Sequence, residues 1–296
     1  YYTKQQYMII VDFSAISIAS VFSQPANTLD ESMIRHFILN SLRMYNVKYR
    51  AEYGEMVIAC DHRSWRKSVY PEYKAARKKN REKSKIDWTD VFGMIDKVKE
   101  ELREFFPYPV LHVNGAEADD IVATLVESTQ EFGKHEKVMI VSSDKDFIQL
   151  QKYSNVKQFS PGQKKAVTDP SPTMYLFEHV LRGDSGDGVP NVLSSDDTFV
   201  TAKRQTPLSK VKIKKWHEES KTKDLKDVLD ETTYRNYIRN QTMIDLSKIP
   251  SEVVSDIQTE YQKEESNKND NSKILNYLIQ NRCNQLVNCA DEFFIK

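Results

Sequence analysis

Seven carboxylates in the first half of the chain stand where a fold could gather them: Asp12, Asp61, Glu117, Asp119, Asp120, Asp144 and Asp146. Asp12 directly follows the apolar run Met8-Ile9-Ile10-Val11, and Asp61 follows Met56-Val57-Ile58-Ala59-Cys60. Glu117, Asp119 and Asp120 come shortly after Val110-Leu111-His112-Val113; Asp144 and Asp146 come shortly after Val138-Met139-Ile140-Val141. Glu117 and Asp120, three apart, share one face of a helix starting there. Asp184 and Asp187, in the loop Gly183-Asp184-Ser185-Gly186-Asp187-Gly188, could join them. Singly, each Asp after a strand reads equally well as a helix N-cap. Together in one cleft they would repel by several kcal/mol at an effective dielectric of about 20, unless cations neutralised them. All-oxygen ligation favours hard ions, Mg²⁺ with Mn²⁺ as a substitute, over zinc. Two such ions about 4 Å apart are the arrangement for in-line phosphodiester cleavage.

The apolar runs that precede these acids read as buried parallel strands. Helical patterns lie between them, over Thr28–Arg50 with Thr28 and Glu31 as a capping-box pair, over Trp88–Phe106 and over Ala116–Phe132. This alternation predicts an α/β fold, an open and mostly parallel sheet with helices on both faces. Sites in such sheets lie beyond the carboxyl ends of the strands, so the acidic loops should converge on one edge. Farther on, Leu225–Ile249 and Ile274–Phe294 have helical apolar spacing, with the polar run Gln262–Ser272 between them as a loop. Residues 1–180 are therefore expected to hold the sheet and its chemistry, and 181–296 a mainly helical region.

The 296 residues carry 43 basic and 43 acidic side chains, which cancel in sum but not in place. His62–Lys85 holds ten Lys or Arg against Glu72 and Glu82. Taken as a helix begun near Pro71, it sets Tyr70, Tyr73, Lys74, Arg77, Lys78 and Arg81 on one stripe. That face is basic and aromatic rather than apolar, suited to phosphates and stacked bases. An isolated charge run is usually a solvated face. This one starts one residue after Asp61, beside an acidic site that needs a cationic clamp to admit phosphate. Lys203–Lys215 is a second basic stretch, with Lys203, Arg204, Lys210, Lys212, Lys214 and Lys215 and no acid. The three cysteines lack zinc spacing and point to a reduced compartment. No apolar run reaches the roughly 18 residues of a membrane span.

The motifs Val11-Asp12-Phe13-Ser14, Cys60-Asp61, Trp65-Arg66-Lys67, Tyr73-Lys74-Ala75-Ala76-Arg77, Glu117-Ala118-Asp119-Asp120, Ser142-Ser143-Asp144-Lys145-Asp146-Phe147 and Gly183–Pro190 resemble the 5′-nuclease (flap endonuclease) superfamily. Their order is most similar to the ribonuclease H / 5′-exonuclease group of T-even phages. Similarity continues through Arg204-Gln205-Thr206-Pro207 and Met243-Ile244-Asp245-Leu246. The resemblance implies a PIN-like 5′-nuclease fold that removes RNA primers and 5′ flaps during DNA replication. It implies that Asp12, Asp61, Glu117, Asp119 and Asp144 surround a first metal, and that Asp120, Asp146, Asp184 and Asp187 serve a second. Tyr73, Lys74 and Arg77 would lie on a helical arch, about 62–85, that passes a 5′ single strand, with Lys74 and Arg77 nearest the chemistry. Arg66, Lys67, Tyr70, Tyr73, Lys78, Arg81, Lys203, Arg204, Lys210 and Lys212 would contact DNA. The loop Gly183–Pro190 would meet the duplex backbone, in some relatives through potassium. Here Asn191-Val192-Leu193-Ser194 replaces the second glycine-rich turn, which speaks against K⁺. The expected partners are branched or RNA-primed duplex and a single-stranded-DNA-binding protein. The expected state is a monomer in the cytoplasm of an infected bacterial cell.

Other classes fit less well. A receiver-type phosphoacceptor needs two or three carboxylates and has no place for the basic insert, and no Gly-rich phosphate loop is present. A non-catalytic DNA-binding relative would have no reason to keep the acids. A single-strand ribonuclease of the toxin class would be about half this length.

Overall fold

The computed structural model describes residues 7–23, 30–83, 86–266 and 271–294. Thr28, expected to cap a helix, and Lys85 lie outside them, as do the side chains of Lys78 and Lys79. Six strands form one sheet: β1 Met8–Asp12, β2 Glu55–Ala59, β3 Val110–Leu111, β4 Val138–Val141, β5 Val156–Ser160 and β6 Lys165–Val167. Their order is β3-β2-β1-β4-β5-β6. The first five run parallel and β6 closes the edge antiparallel. Met8 to Val11 and Val138 to Val141 are buried along their whole length, as strands covered on both faces must be. Strand order reverses on either side of β1, which places a topological switch point at the carboxyl ends of β1 and β4.

The helices around the sheet start where the sequence supplies caps. Asp12 caps Phe13–Phe22 and Asp87 caps Trp88–Phe105, each carboxylate accepting from a backbone N–H that would otherwise go unpaired. Ala118–Gln130 opens with a capping box in which the Glu117 and Asp120 side chains each bond the other's backbone N–H. Among the elements that escaped the sequence pattern are β5, β6 and the helices Phe13–Phe22, Pro172–Arg182 and Lys210–Ser220. β5 reads Val-Lys-Gln-Phe-Ser and alternates with polar residues even on its buried face. Conversely, β3 is two residues long, not four. The expected loop at Gln262–Ser272 is helical at its start, because Ser251–Ser266 is one continuous helix.

The chain divides into two compact units, and the division departs from the single boundary expected at 180. One unit comprises Tyr1–Arg63, Lys85–Thr168 and Ser251–Lys296; the other comprises Ser64–Ser84 and Asp169–Pro250. The tail returns to the first unit because Ile274, Tyr277, Leu278, Leu286 and Phe293 complete the core built on Ile9, Leu39 and Leu42. In the second unit Val180 and Leu181 pack with Ile213, Trp216, Tyr237, Met243 and Ile244.

The basic segment departs from its expected form. It is a short helix, Arg66–Val69, a turn, and a second helix, Ala75–Glu82. Lys74 breaks the path with a left-handed φ of 57°. Tyr70 and Tyr73, expected on a solvent-facing stripe, are 5% and 2% exposed and belong to the second unit's core. Each phenol brings apolar area for burial and a hydroxyl that finds a partner: Tyr70 Oη donates to Asp196 O at 2.6 Å and Tyr73 Oη to Asp187 Oδ2 at 3.0 Å. Gly188 lets the loop approach this turn closely, since a Cβ there would sit 3.1 Å from Glu72 O at a φ of +76°. Among the described residues no helix is long and apolar enough to cross a membrane.

Candidate active site

The carboxyl edge of the first unit's sheet carries its acids in two separate sets of hydrogen bonds, one around Asp12 and Asp144 and one around Asp61 and the Glu117 turn. Asp12 ends β1, and its Oδ1 accepts from Ala15 N at 3.1 Å, so the N-cap reading holds for it. Its Oδ2 accepts from Ser142 Oγ at 2.7 Å. Ser142 follows β4, and the same Oγ accepts from Asp144 N at 3.1 Å. Asp144 Oδ1 then accepts from Asp146 N at 3.0 Å. On the other side, Ser14 Oγ donates to Asp61 Oδ2. Asp61 Oδ1 accepts from Ala118 N at 2.8 Å, which ties β2 to the turn bearing Glu117. Asp120 Oδ2 accepts from Glu117 N at 2.9 Å.

Burial grades these groups. Asp61 and Asp144 are exposed, Asp119 and Asp146 half-buried, and Asp12 and Glu117 buried. Asp120 is 0% exposed, and its Oδ2 supports the Glu117 backbone in the helix cap. Burial first, and then the negative charges of Asp61 and Asp144, push the Asp12 carboxyl up to about 7, although Ser142 and the helix N-terminus pull it down. A buried carboxylate flanked by two others gains from any cation that offsets their repulsion. A donor set made only of oxygens suits a hard divalent ion.

Asp184 and Asp187 belong to the second unit. Asp184 Oδ1 accepts from Gly186 N at 2.7 Å and Asp187 N at 3.1 Å, and His179 Nε2 lies 3.5 Å from Oδ2. The His179 hydrogen bond, above all, holds the Asp184 carboxyl below its ordinary range. Asp187 takes Tyr73 Oη, Arg77 and, at 3.5 Å, Lys74 Nζ. Its charge is thus balanced by the two cations expected to act in catalysis.

Among the residues expected at DNA, Arg66 is 2% exposed and its Nε donates to Met243 O at 2.9 Å. Like Tyr70 and Tyr73, it is a core residue and does not face solvent. Lys67, Arg81, Lys203, Arg204, Lys210 and Lys212 are exposed; Lys203 pairs with Asp197 at 2.8 Å and Lys212 lies over the Trp216 ring at 4.8 Å. The sequence reading assigned no role to Ser14 and Ser142, although both stood in its motifs, each two residues from an acid.

Two family models together span nearly the whole chain. Residues 8–176 match the 5′-3′ exonuclease N-terminal resolvase-like domain, and residues 170–293 match the T4 RNase H C-terminal domain. Ribonuclease H of Enterobacteria phage T4 is 34% identical over 295 residues, covering 96% of this chain and 95% of the relative. The 5′-3′ exonuclease of Buchnera aphidicola is 26% identical over 203 residues, 64% of this chain and 67% of its own. In fold, the chain is similar to the T5 5′-exonuclease solved with bound zinc ions, with a TM-score of 0.59 at 14% identity over 87% of this chain and 99% of that one. With its acids at the carboxyl edge of a mostly parallel sheet, the chain belongs to the 5′-3′ exonuclease family of 5′-nucleases, and it is a nuclease.

Proposed function

We propose that this nuclease requires divalent metal, Mg²⁺ with Mn²⁺ as a substitute, and cuts branched or RNA-primed DNA duplexes from the 5′ side. The observation that carries the metal reading is the hydrogen-bonded set Asp12, Ser142 and Asp144, with the charge of Asp61 beside it, in which the Asp12 carboxyl is driven up to about 7. Asp12, Asp61, Glu117, Asp119 and Asp144 would hold the first ion, and Asp146 would serve the second. Asp120 acts through the Glu117 backbone it caps, and Asp187 through the cations it holds. When bound, such ions supply an activated water and neutralise the departing oxygen.

The chain's own residues do the rest. Ser14 and Ser142 orient Asp61 and Asp12, so the donor set is assembled before substrate arrives. Lys74 and Arg77 exchange the Asp187 carboxylate for the scissile phosphate and offset charge developing there. Arg81, Lys67, Arg204, Lys210 and Lys212 meet backbone phosphates. The T4 relative is named a ribonuclease H, which supports RNA-primed duplex as one substrate. A single-stranded-DNA-binding protein as partner and a monomeric state belong to the same reading.

Product mapping on 5′-flap, nicked and RNA-primed duplexes tests it, with Mg²⁺ and with a chelator. Cleavage should need the metal and leave 5′-phosphate and 3′-hydroxyl ends. Cyclic 2′,3′ ends on RNA, or undiminished cutting in chelator, would overturn it.

A further inference from the structure

Gln158 lies in the middle of β5, in register with Ile140 of β4, on the face where Val156 and Ser160 are also buried. Its side chain is 2% exposed. A carboxamide buried there is costly if its hydrogen bonds go unmade, so the bonds it makes matter. Nε2 donates to Ser142 O at 3.1 Å and to Asp144 O at 2.5 Å, while Oε1 accepts from Gln151 Nε2 at 3.1 Å. The two carbonyls bracket Ser143. That residue is held in turn by the hairpin after β5, with its Oγ 2.8 Å from Ser160 Oγ and accepting from Gly162 N at 3.2 Å.

All three residues from Ser142 to Asp144 are therefore fixed from β5. Asp144 is exposed, so its carboxylate is directed by its backbone and by the Asp146 N–H it accepts from rather than by packing. We propose that Gln158 is a positioning residue for Asp144: its carboxamide clamps the Ser142 and Asp144 carbonyls and so aims the Asp144 carboxylate at the ion. The inference rests on Asp144 being an ion ligand. The plainer alternative is a core amide that stabilises the sheet and nothing more.

Gln130 separates the two, because it is a buried amide of the same chemistry elsewhere in this unit. It donates to Glu136 O at 3.0 Å, just before β4, and accepts from Asn155, just before β5. Mn²⁺ is titrated into metal-free protein and free Mn²⁺ is read by electron paramagnetic resonance, for the unsubstituted chain, Gln158→Leu and Gln130→Leu. Gln158→Leu should raise the Mn²⁺ dissociation constant roughly tenfold or more, the scale for losing a group that orients a metal ligand. Its cleavage rate should recover largely as Mn²⁺ is raised. Gln130→Leu should lower the melting temperature comparably and bind Mn²⁺ as the unsubstituted chain does. Native Mn²⁺ affinity in Gln158→Leu, or equal weakening in both variants, would overturn the proposal. Should Gln158→Leu fail to fold, Gln151→Leu removes the donor that orients Gln158 Oε1, and native Mn²⁺ affinity there overturns it equally. No Mn²⁺ uptake by the unsubstituted chain would instead overturn the ion site itself, and the role of Gln158 with it.

Discussion

A carboxylate that caps a helix, as Asp12 does, keeps the charge that would suit it to an ion, because the N–H groups of a helix start favour negative charge just as a cation does. Its neighbours carry less structural duty. Asp61→Asn or Asp144→Asn should lower the single-turnover rate by at least roughly 10²-fold while DNA affinity stays level or rises, since less negative charge faces the phosphates. A near-normal rate in either variant would remove it from the ion site. Lys74→Ala should also cost roughly 10²-fold in single-turnover rate, with a much smaller loss of affinity. Arg81→Ala should instead weaken binding and reduce its salt dependence by about one phosphate contact. Rate measurements beside salt titrations distinguish the two. At this scale the acids were legible, because each followed a run of apolar residues that had to be a strand. The pairing of Lys74 and Arg77 with Asp187 was not, since it joins residues more than a hundred positions apart.

Secondary-structure elements show why some readings failed. β1 and β4 were plain in the sequence because both faces are covered, whereas β5 was hidden by the very Gln158 and Ser160 that serve its neighbouring loop. The helix Ser251–Ser266 was masked by its polarity, with Ile257 its one fully buried residue. In the basic segment, tyrosines were taken for a base-stacking face when they supply its anchor. Tyr73→Ala should therefore destabilise the second unit by about 3–5 kcal/mol and speed amide exchange over 66–77, while Tyr73→Phe should do far less. Equal protection in all three proteins would show the segment is held by its charges. A buried ion network joins three helices of the first unit: Arg35 is 4% exposed, bonds Glu101 at two 2.8 Å contacts and Glu31 at 2.6 Å, and Tyr277 donates to Glu101 at 2.6 Å. Arg35→Met leaves Glu101 without its cationic partner and should cost about 3–5 kcal/mol in urea unfolding. Lys97 and Arg35 hold the Glu31 carboxyl below its ordinary value of 4.5. Its contribution is full above that value and fades as pH falls through the lowered one. The melting-temperature gap between the unsubstituted chain and Glu31→Gln should narrow accordingly; a constant gap from pH 6 to 3 would deny the link.

For the molecule as a whole, the family models meet at 170–176, close to the boundary drawn from sequence, yet the chain crosses between its two units four times. Hydropathy follows neighbours along the chain and cannot show that Phe293 closes a core opened by Ile9. This threading has a consequence for synthesis. Domains commonly fold in turn as they leave the ribosome, but here the helix Glu31–Tyr53 must wait for a partner made some 240 residues later. A nascent chain halted near Pro250 would carry the second unit's segments in full while the first still bared the apolar surface meant for Ile274, Tyr277 and Phe293. Ribosome-bound intermediates of that length should resist protease over 169–250 and be cut readily within the sheet unit, and they should engage holdase chaperones until the last helices emerge.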